Sequence, residues 1–500
     1  MRKAVLVAAV IALTAPLALA GVTSASAEPI SGSKQAKNVI LLIADGMGMT
    51  HVDAARQRIV GADGALNMEQ LDNYGSVSTY SVAPNSDTPV PVPDSAATAT
   101  AWSSGVKSYN GAIGKDAYGT DVVTIMEQAK NAGMRTGNVS TAEITDATPA
   151  APMAHTSKRQ CQGPTASGCA EGEAHIAHQI SRNGTADVMF GGGMRRFEPD
   201  DQKALEAQGY SILGDFGDEN LANDTGAQSA ETQRVPTSED LESIPAGTEK
   251  VIGLFNRGNL TVEKSKAINP DSVEAGEPTL PELTQKTVEL LSASEEGKGQ
   301  SNGNQPGFFL QVESALVDKR SHANDADQTL TEMEYFDQAV KVAQDFANTP
   351  AGKDTLIIVS ADHECAGFNI IGKGSFANSE ASNPPGNVDS SNEANSSTPR
   401  REYSGNTLDP KRSTGIINGD GAGSEDPANF APATFRTPED PEGVKDGDPE
   451  ASLWMTYLSG NHTGANVPIF SQGPGSQGLD GRIDQTDIYD VMASALKAVR

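Results

Sequence analysis

Three of the most apolar runs in this 500-residue chain end at a carboxylate, and that pattern narrows the fold more than any other feature. Asn38-Val-Ile-Leu-Leu-Ile43 leads into Asp45, Phe308-Phe-Leu-Gln-Val312 into Glu313, and Thr355-Leu-Ile-Ile-Val359 into Asp362-His363. Unbroken apolar runs of this length read as strands buried on both faces. Thr136-Gly-Asn-Val-Ser140 and Asp187-Val-Met-Phe190 are weaker versions, and helical segments fall between them at 121–130, 280–291, 333–346 and 487–499. Strands alternating with helices predict an α/β fold, a three-layer α/β/α sandwich on a large, mostly parallel sheet. Ligand sites in such sheets lie beyond the carboxyl ends of the strands. The carboxylates therefore converge there, and they repel one another unless cations sit between them.

Two stretches break the rhythm. Residues 215–270 are acidic and polar, with short apolar islands such as Val251-Ile-Gly-Leu-Phe255. Residues 371–450 are rich in Gly, Pro, Ser, Asn and Asp and read as an insertion on the sheet, not a separate domain. The formal net charge of −29 argues against a nucleic-acid binder or a protein held on an anionic membrane surface. An anionic substrate must then be attracted locally, by metal ions, Arg, Lys or helix N-termini.

The chain opens with a basic Met1-Arg-Lys, an apolar stretch from Ala4 to Ala20, and the small-x-small sites Ala18-Leu-Ala20 and Ala25-Ser-Ala27. This is the pattern of a secretory signal peptide spanning 1–27, cleaved after Ala27 to release a soluble protein of residues 28–500. An exported chain can bridge Cys161 and Cys169, which would staple a local loop. Cys365 is left over, as a buried inert thiol or a group behind a metal site.

The seven histidines sharpen the case for metal. Asp318-Lys-Arg-Ser-His322 spaces a carboxylate and an imidazole one helical turn apart. Asp362-His363 follows a strand, and His462 lies in the Gly-flanked Ser459-Gly-Asn-His-Thr-Gly464. An isolated Asp-x-x-x-His pair is ordinarily structural, but three such motifs beside acidic strand ends are not readily explained that way. Imidazole with carboxylate suits zinc, and oxygen-only clusters suit magnesium. Ser95 follows Pro93-Asp94 at the start of an Ala-rich helix running to about Gly105. A serine there is ordinarily an N-cap, yet the same helix end offers its dipole and free N–H groups to a phosphate.

Familiar motifs fail nearby. A dinucleotide fingerprint after Gly46-Met-Gly48 would need Gly at His51, and Gly374 replaces the Ser or Thr of a P-loop. His363-Glu-Cys-Ala-Gly is not a zincin motif, and no G-x-S-x-G elbow exists.

The chain resembles bacterial alkaline phosphatases of the secreted, serine-nucleophile, two-zinc type. The resemblance rests on Leu41-Leu-Ile-Ala-Asp-Gly-Met-Gly48, Pro93-Asp-Ser-Ala-Ala97 and Gly137-Asn-Val-Ser-Thr-Ala-Glu143 with Asp146-Ala-Thr148. Further along it rests on Phe308 to Glu313, Asp318-Lys319 with His322, Thr355 to His363, and His462-Thr-Gly464. It runs from about Ala36 to the C-terminus, the 371–450 region excepted. It implies a phosphate-monoester hydrolase working at alkaline pH through a phosphoserine, with two zinc ions and one magnesium. Ser95 would be the nucleophile, Arg159 the clamp on the phosphoryl oxygens, and Lys319 a water-mediated contact to phosphate. Asp318, His322 and His462 would hold the first zinc, and Asp45, Asp362 and His363 the second. Asp45 would bridge to magnesium, which Thr148 and Glu313 complete with Asp146 beside it.

The chain departs from the family at Cys365, where similar enzymes often carry a second His or a small residue. It also lacks the cysteines for a second disulfide, and its crown-like insertion differs in composition. Small phosphomonoesters are the expected partners, without nucleic acid or membrane, and monomer and homodimer both stay open. Two other readings are a metal-dependent phosphodiesterase on the same scaffold and a secreted phosphate- or metal-binding protein without turnover. A sulfatase is disfavoured because Ser95-Ala-Ala-Thr-Ala lacks the required C/S-x-P-x-R context.

Overall fold

The computed structural model describes residues 35–164, 168–214, 235–293, 307–373, 433–448, 450–457 and 460–496. The signal-peptide segment 1–27 and most of the 371–450 insertion lie outside the described residues.

The three apolar runs form neighbouring parallel strands: β1 (Asn38–Ala44) lies between β7 (Phe308–Ser314) and β8 (Thr355–Ser360), all buried. The sheet has ten strands. The others are β2 (Asn73–Ser78), β3 (Arg135–Glu143), β4 (Val188–Gly192), β5 (Ser211–Leu213), β6 (Val251–Leu254), β14 (Val467–Gln472) and β15 (Gly481–Asp484), in the order β15-β2-β14-β8-β1-β7-β3-β4-β6-β5. Only β14 runs against its neighbours. β1 lies inside the sheet between β7 and β8, both reached only late in the chain, and the carboxyl ends of these three strands are where open α/β sheets place their ligands.

The Val251–Phe255 island is not an interruption: β6 pairs in parallel with both β4 and β5. Four residues carrying a glycine, within a polar stretch, give too weak a local signal, and pairing on both edges makes the strand. The predicted helix at 121–130 begins only at Ile125, because Thr124 caps it and Glu127 closes a capping box, giving α3 (Ile125–Asn131). The predicted helix at 333–346 is longer, since Asp325 caps α7 (Ala326–Ala347) two turns earlier. The C-terminal helix α8 covers Gln485–Ala495. α8 packs with α2 (Ser95–Ser104) and α3, whereas α7 packs with α1 (Met49–Ile59), α5 (Leu280–Ala293) and the central strands. These groups are the helical layers of the sandwich.

Three short strands form a separate antiparallel sheet, β10 (Asn369–Ile371), β12 (Leu453–Thr456) and β11 (Ala433–Phe435), where the chain enters and leaves the insertion. The Cys161–Cys169 disulfide is formed, and Cys365 is free and buried. Among the described residues no helix is long and apolar enough to cross a membrane.

One buried charge on α7 has a consequence for stability. Glu332 accepts from the Glu263 N–H at 2.8 Å, while Glu263 pairs with Lys266. Burial first, then the Glu263 charge, pushes the Glu332 carboxyl up to about 8 from an ordinary 4.5. A carboxyl whose folded value is raised favours folding below the unfolded value, and that contribution is lost as pH rises through about 8. The loss amounts to a few kcal/mol at most. Glu332→Gln keeps the acceptor oxygen without the charge. It is expected to match the parent in thermal denaturation near pH 5 and to melt higher at pH 9; equal melting at both would show that Glu332 is not protonated in the fold.

Candidate active site

The candidate metal ligands other than His462 sit at the end of a sheet strand or on the turn or short helix that follows it. Beyond β1, Asp45 precedes Gly46, whose φ of +79° favours glycine, and whose added Cβ would lie 2.9 Å from Cys365 Cβ. Beyond β3 the chain turns into α4 (Ala147–Ala150), capped by Asp146 and carrying Thr148. Glu313 is on β7, opposite Ser140 of β3, which donates to its carboxylate. α6 (Leu316–His322) follows and carries Asp318, Lys319 and His322. Asp362 and His363 leave β8 and continue into β9 (Glu364–Cys365), which pairs antiparallel with β13 (His462–Thr463) in the register Cys365↔His462.

Ser95 is the first residue of α2, and Asp94, not Ser95, is its N-cap, accepting from the Ala97 N–H at 3.1 Å. The ordinary N-cap role therefore falls to Asp94, and the nearly fully buried Ser95 hydroxyl lies 3.2 Å from His363 Nε2. Asp94 also receives Arg159 at 3.3 Å. The other arm of the Arg159 fork donates to Asp146 at 2.9 Å, and Lys319 donates to the second Asp146 oxygen at 2.9 Å. Arg159 and Lys319 thus stand together, oriented by two acids. Burial works against their charge, but Asp146 outweighs it and both are held above their ordinary values. Burial likewise disfavours ionised Asp146, and the two cations overcome that to hold it far below the carboxylate range.

The histidines and acids turn their donor atoms toward one another. His322 Nδ1 donates to the Gly460 carbonyl at 2.7 Å and His462 Nδ1 to the Pro93 carbonyl at 3.0 Å. Both Nδ1 atoms being donors, it is the Nε2 atoms that face each other, 3.0 Å apart. Asp318 joins them, at 3.2 Å from His322 and 3.5 Å from His462. His363 Nε2 lies 3.0 Å from Asp362 and 3.8 Å from Asp45. Asp45 Oδ1, Thr148 Oγ1, Asp318 Oδ1 and Asp362 Oδ2 are all buried without hydrogen-bond partners. Orphaned buried acceptors concentrated at one place, with the Nε2 atoms of two imidazoles turned toward each other, fit a set of bound cations.

Electrostatics point the same way. Burial, then the charges of Asp362, Asp318 and Glu313, pushes Asp45 well above its usual range. Burial lifts Glu313 to about 8 despite the Ser140 hydrogen bond. A divalent ion reverses both effects, since its charge dominates the local field. Asp362 is instead held at about 2: burial would raise it, and His363 more than offsets that.

The structure brings Asp45, Asp318 and His363 into one group and Asp318, His322 and His462 into an adjoining one. Asp146, Thr148 and Glu313 gather at the ends of β3 and β7. Sequence reasoning passed over four supports. Asp94 aims Arg159, and Ser140 holds Glu313. Gln311 receives the Trp102 indole N–H at 3.2 Å and donates to the Thr148 carbonyl at 2.9 Å, tying α2 to α4. Glu364 accepts from Thr463 and anchors the His462 strand. Only Asp94 had a local signal, as a preferred cap before a helical run.

A strand-end cluster of acids and imidazoles facing a serine on a helix N-terminus defines the class, a metal-binding hydrolase on an α/β/α sandwich. The family model for alkaline phosphatase matches residues 36–498, and the chain belongs to that family. It is 37% identical over 374 residues to the alkaline phosphatase of Escherichia coli, covering 69% of this chain and 74% of that one. To alkaline phosphatase H of Pseudomonas aeruginosa it is 33% identical over 500 residues, covering 93% and 86%. The crystal structure of Thermus thermophilus alkaline phosphatase shares the fold, with a TM-score of 0.64 at 23% identity over 93% of this chain and 92% of that one. The protein is a phosphoric monoester hydrolase.

Proposed function

We propose that this protein hydrolyses phosphate monoesters at alkaline pH through a phosphoserine on Ser95. Asp318, His322 and His462 hold one zinc, Asp45, Asp362 and His363 a second, and Asp45, Thr148 and Glu313 a magnesium. The observation that carries the reading is Ser95 Oγ, buried at the start of α2 and 3.2 Å from His363 Nε2, inside the ligand cluster. When bound, the metal ions supply Lewis acidity to the entering and leaving oxygens of an in-line displacement.

The chain's own residues do the rest. The Arg159 fork binds two phosphoryl oxygens, pre-aimed by Asp94 and Asp146 so that little side-chain freedom is lost on binding. The N-terminus of α2 directs its dipole at the same phosphoryl group. Ser95 Oγ forms a bond to phosphorus as the ester P–O bond breaks, and the alcohol leaves with a proton. Water then cleaves the Ser95–phosphate bond, restoring the hydroxyl and releasing phosphate. Lys319, held on Asp146, adds positive charge at the rim. Residues 1–27 direct export, and the mature enzyme acts outside the cytoplasm.

Hydrolysis of p-nitrophenyl phosphate by the mature protein from neutral to alkaline pH tests this reading. Activity is expected to rise with pH, vanish on chelation and return only with zinc and magnesium together. A folded, zinc-loaded sample without activity would overturn it. Arg159→Ala is expected to raise the phosphate inhibition constant about 10- to 100-fold, the scale of lost charge-assisted hydrogen bonds. Metal content should be unchanged, and an unaltered inhibition constant would remove Arg159 from the clamp.

A further inference from the structure

We propose that Cys365 is itself a metal ligand, its thiolate joining Asp318, His322 and His462 around the first cation. The inference rests on the metal-dependent reading above and adds a sulfur donor to it. The chain has three cysteines, and with Cys161 and Cys169 bridged, Cys365 carries the one free thiol.

Its position follows from strand register. β9 pairs with β13 so that Cys365 stands directly opposite His462. Opposed residues of an antiparallel pair project from the same face with Cβ atoms about 5 Å apart. The ladder that delivers the His462 imidazole therefore delivers the thiol beside it. The turn at Gly46 fixes it from the other side, since no Cβ fits there against Cys365.

The donor atoms confirm the convergence. Cys365 Sγ, an Asp318 carboxylate oxygen and a ring nitrogen from each of His322 and His462 all lie within 4.8 Å of one another. Ligands of a tetrahedral zinc, bound at about 2.0–2.3 Å, stand roughly 3.5 Å apart, so a small contraction closes the set. An independent observation points to a cation in the same space: Asp318, more than nine-tenths buried, makes no hydrogen bond through Oδ1, which stands 3.5 Å from His462 Nε2. The thiol's contact with the Asp318 carbonyl, at 3.8 Å, is weak and leaves the sulfur lone pairs available. A buried cysteine is ordinarily a small apolar filler, but a filler has no need to stand among three ligand side chains.

Coordination forms a metal–sulfur bond while the S–H proton passes to solvent. Such a four-donor S/N/N/O set would favour zinc over the harder magnesium or manganese.

X-ray absorption at the zinc edge of the full-length, zinc-loaded protein tests this without reference to turnover. The expected spectrum contains a sulfur shell at about 2.3 Å, near one sulfur per two zincs, beside nitrogen and oxygen at about 2.0–2.1 Å. Cys365→Ser and Cys365→Ala should each lose that shell, and the first-site zinc dissociation constant should rise at least about tenfold. Nitrogen and oxygen alone around zinc in the parent would overturn the proposal while leaving the phosphatase reading intact. A folded protein that takes up no zinc would overturn both. The parent spectrum decides the matter even if neither variant folds.

Discussion

Ser95→Ala is expected to leave no phosphoenzyme and to lower kcat/KM by about 10³-fold or more, the loss expected when a catalytic nucleophile is removed while its electrostatic surroundings stay in place. The geometry makes the effect specific. Ser95 is at the first position of α2, and the cap is Asp94, so the substitution removes no capping hydrogen bond. The helix, its dipole and the Asp94–Arg159–Asp146 arrangement should survive, and phosphate should still bind. The variant therefore separates binding from covalent chemistry. The measurement is acid quench of labelled substrate followed by mass analysis of the peptide containing residue 95, with zinc content as the control. A labelled phosphopeptide in the variant, or normal turnover, would sink the covalent mechanism.

Metal removal should produce the second large effect, on activity and stability together. Ions bound at concentrations near a thousandfold above their dissociation constants stabilise the fold by about 4 kcal/mol per site, so chelation should lower the melting temperature sharply. The apo site keeps its acids, and Asp45 is the most compromised, pushed up by burial and by three neighbouring carboxylates. Because its folded value is raised, its own contribution to apo stability is greatest at acid pH and falls as pH climbs through that value. Asp45→Asn cannot ionise and escapes the loss. The ranking should therefore invert: at alkaline pH the chelated Asp45→Asn protein melts above the chelated parent, whereas with metals restored the parent melts higher and alone is active. Calorimetry with and without chelator reads both halves. An Asn variant that is less stable in both states would show that Asp45 makes a contact other than to a cation.

How much of this was legible in the chain depends on range. The β1, β7 and β8 runs are read directly because strands buried on both faces need continuous apolar sequence. β6 and β14 were not, the first for being short with a central glycine, the second for carrying Pro468 and ending in Ser471-Gln472. The first two turns of α7 escaped notice because Asp327, Gln328 and Glu332 are polar residues buried by tertiary neighbours, which no periodicity reveals.

By itself the sequence determined what is local. A helix with 3.6 residues per turn puts Asp318 and His322 on one face, a strand end presents Asp362 and His363 together, and a proline and an aspartate before an Ala-rich run start a helix at Ser95. Those spacings, with the ordered motifs, sufficed for the family. Only the tertiary structure decided which groups face one another across the site. That Asp94 caps α2 and aims Arg159, that Ser140 holds Glu313, and that the two imidazoles turn their Nε2 atoms together are outcomes of strand order and register. So is the placement of Cys365 opposite His462, 97 residues away along the chain but directly across one two-stranded ladder. Side-chain convergence over such separations is set by which backbones pair, and pairing is a property of the whole fold.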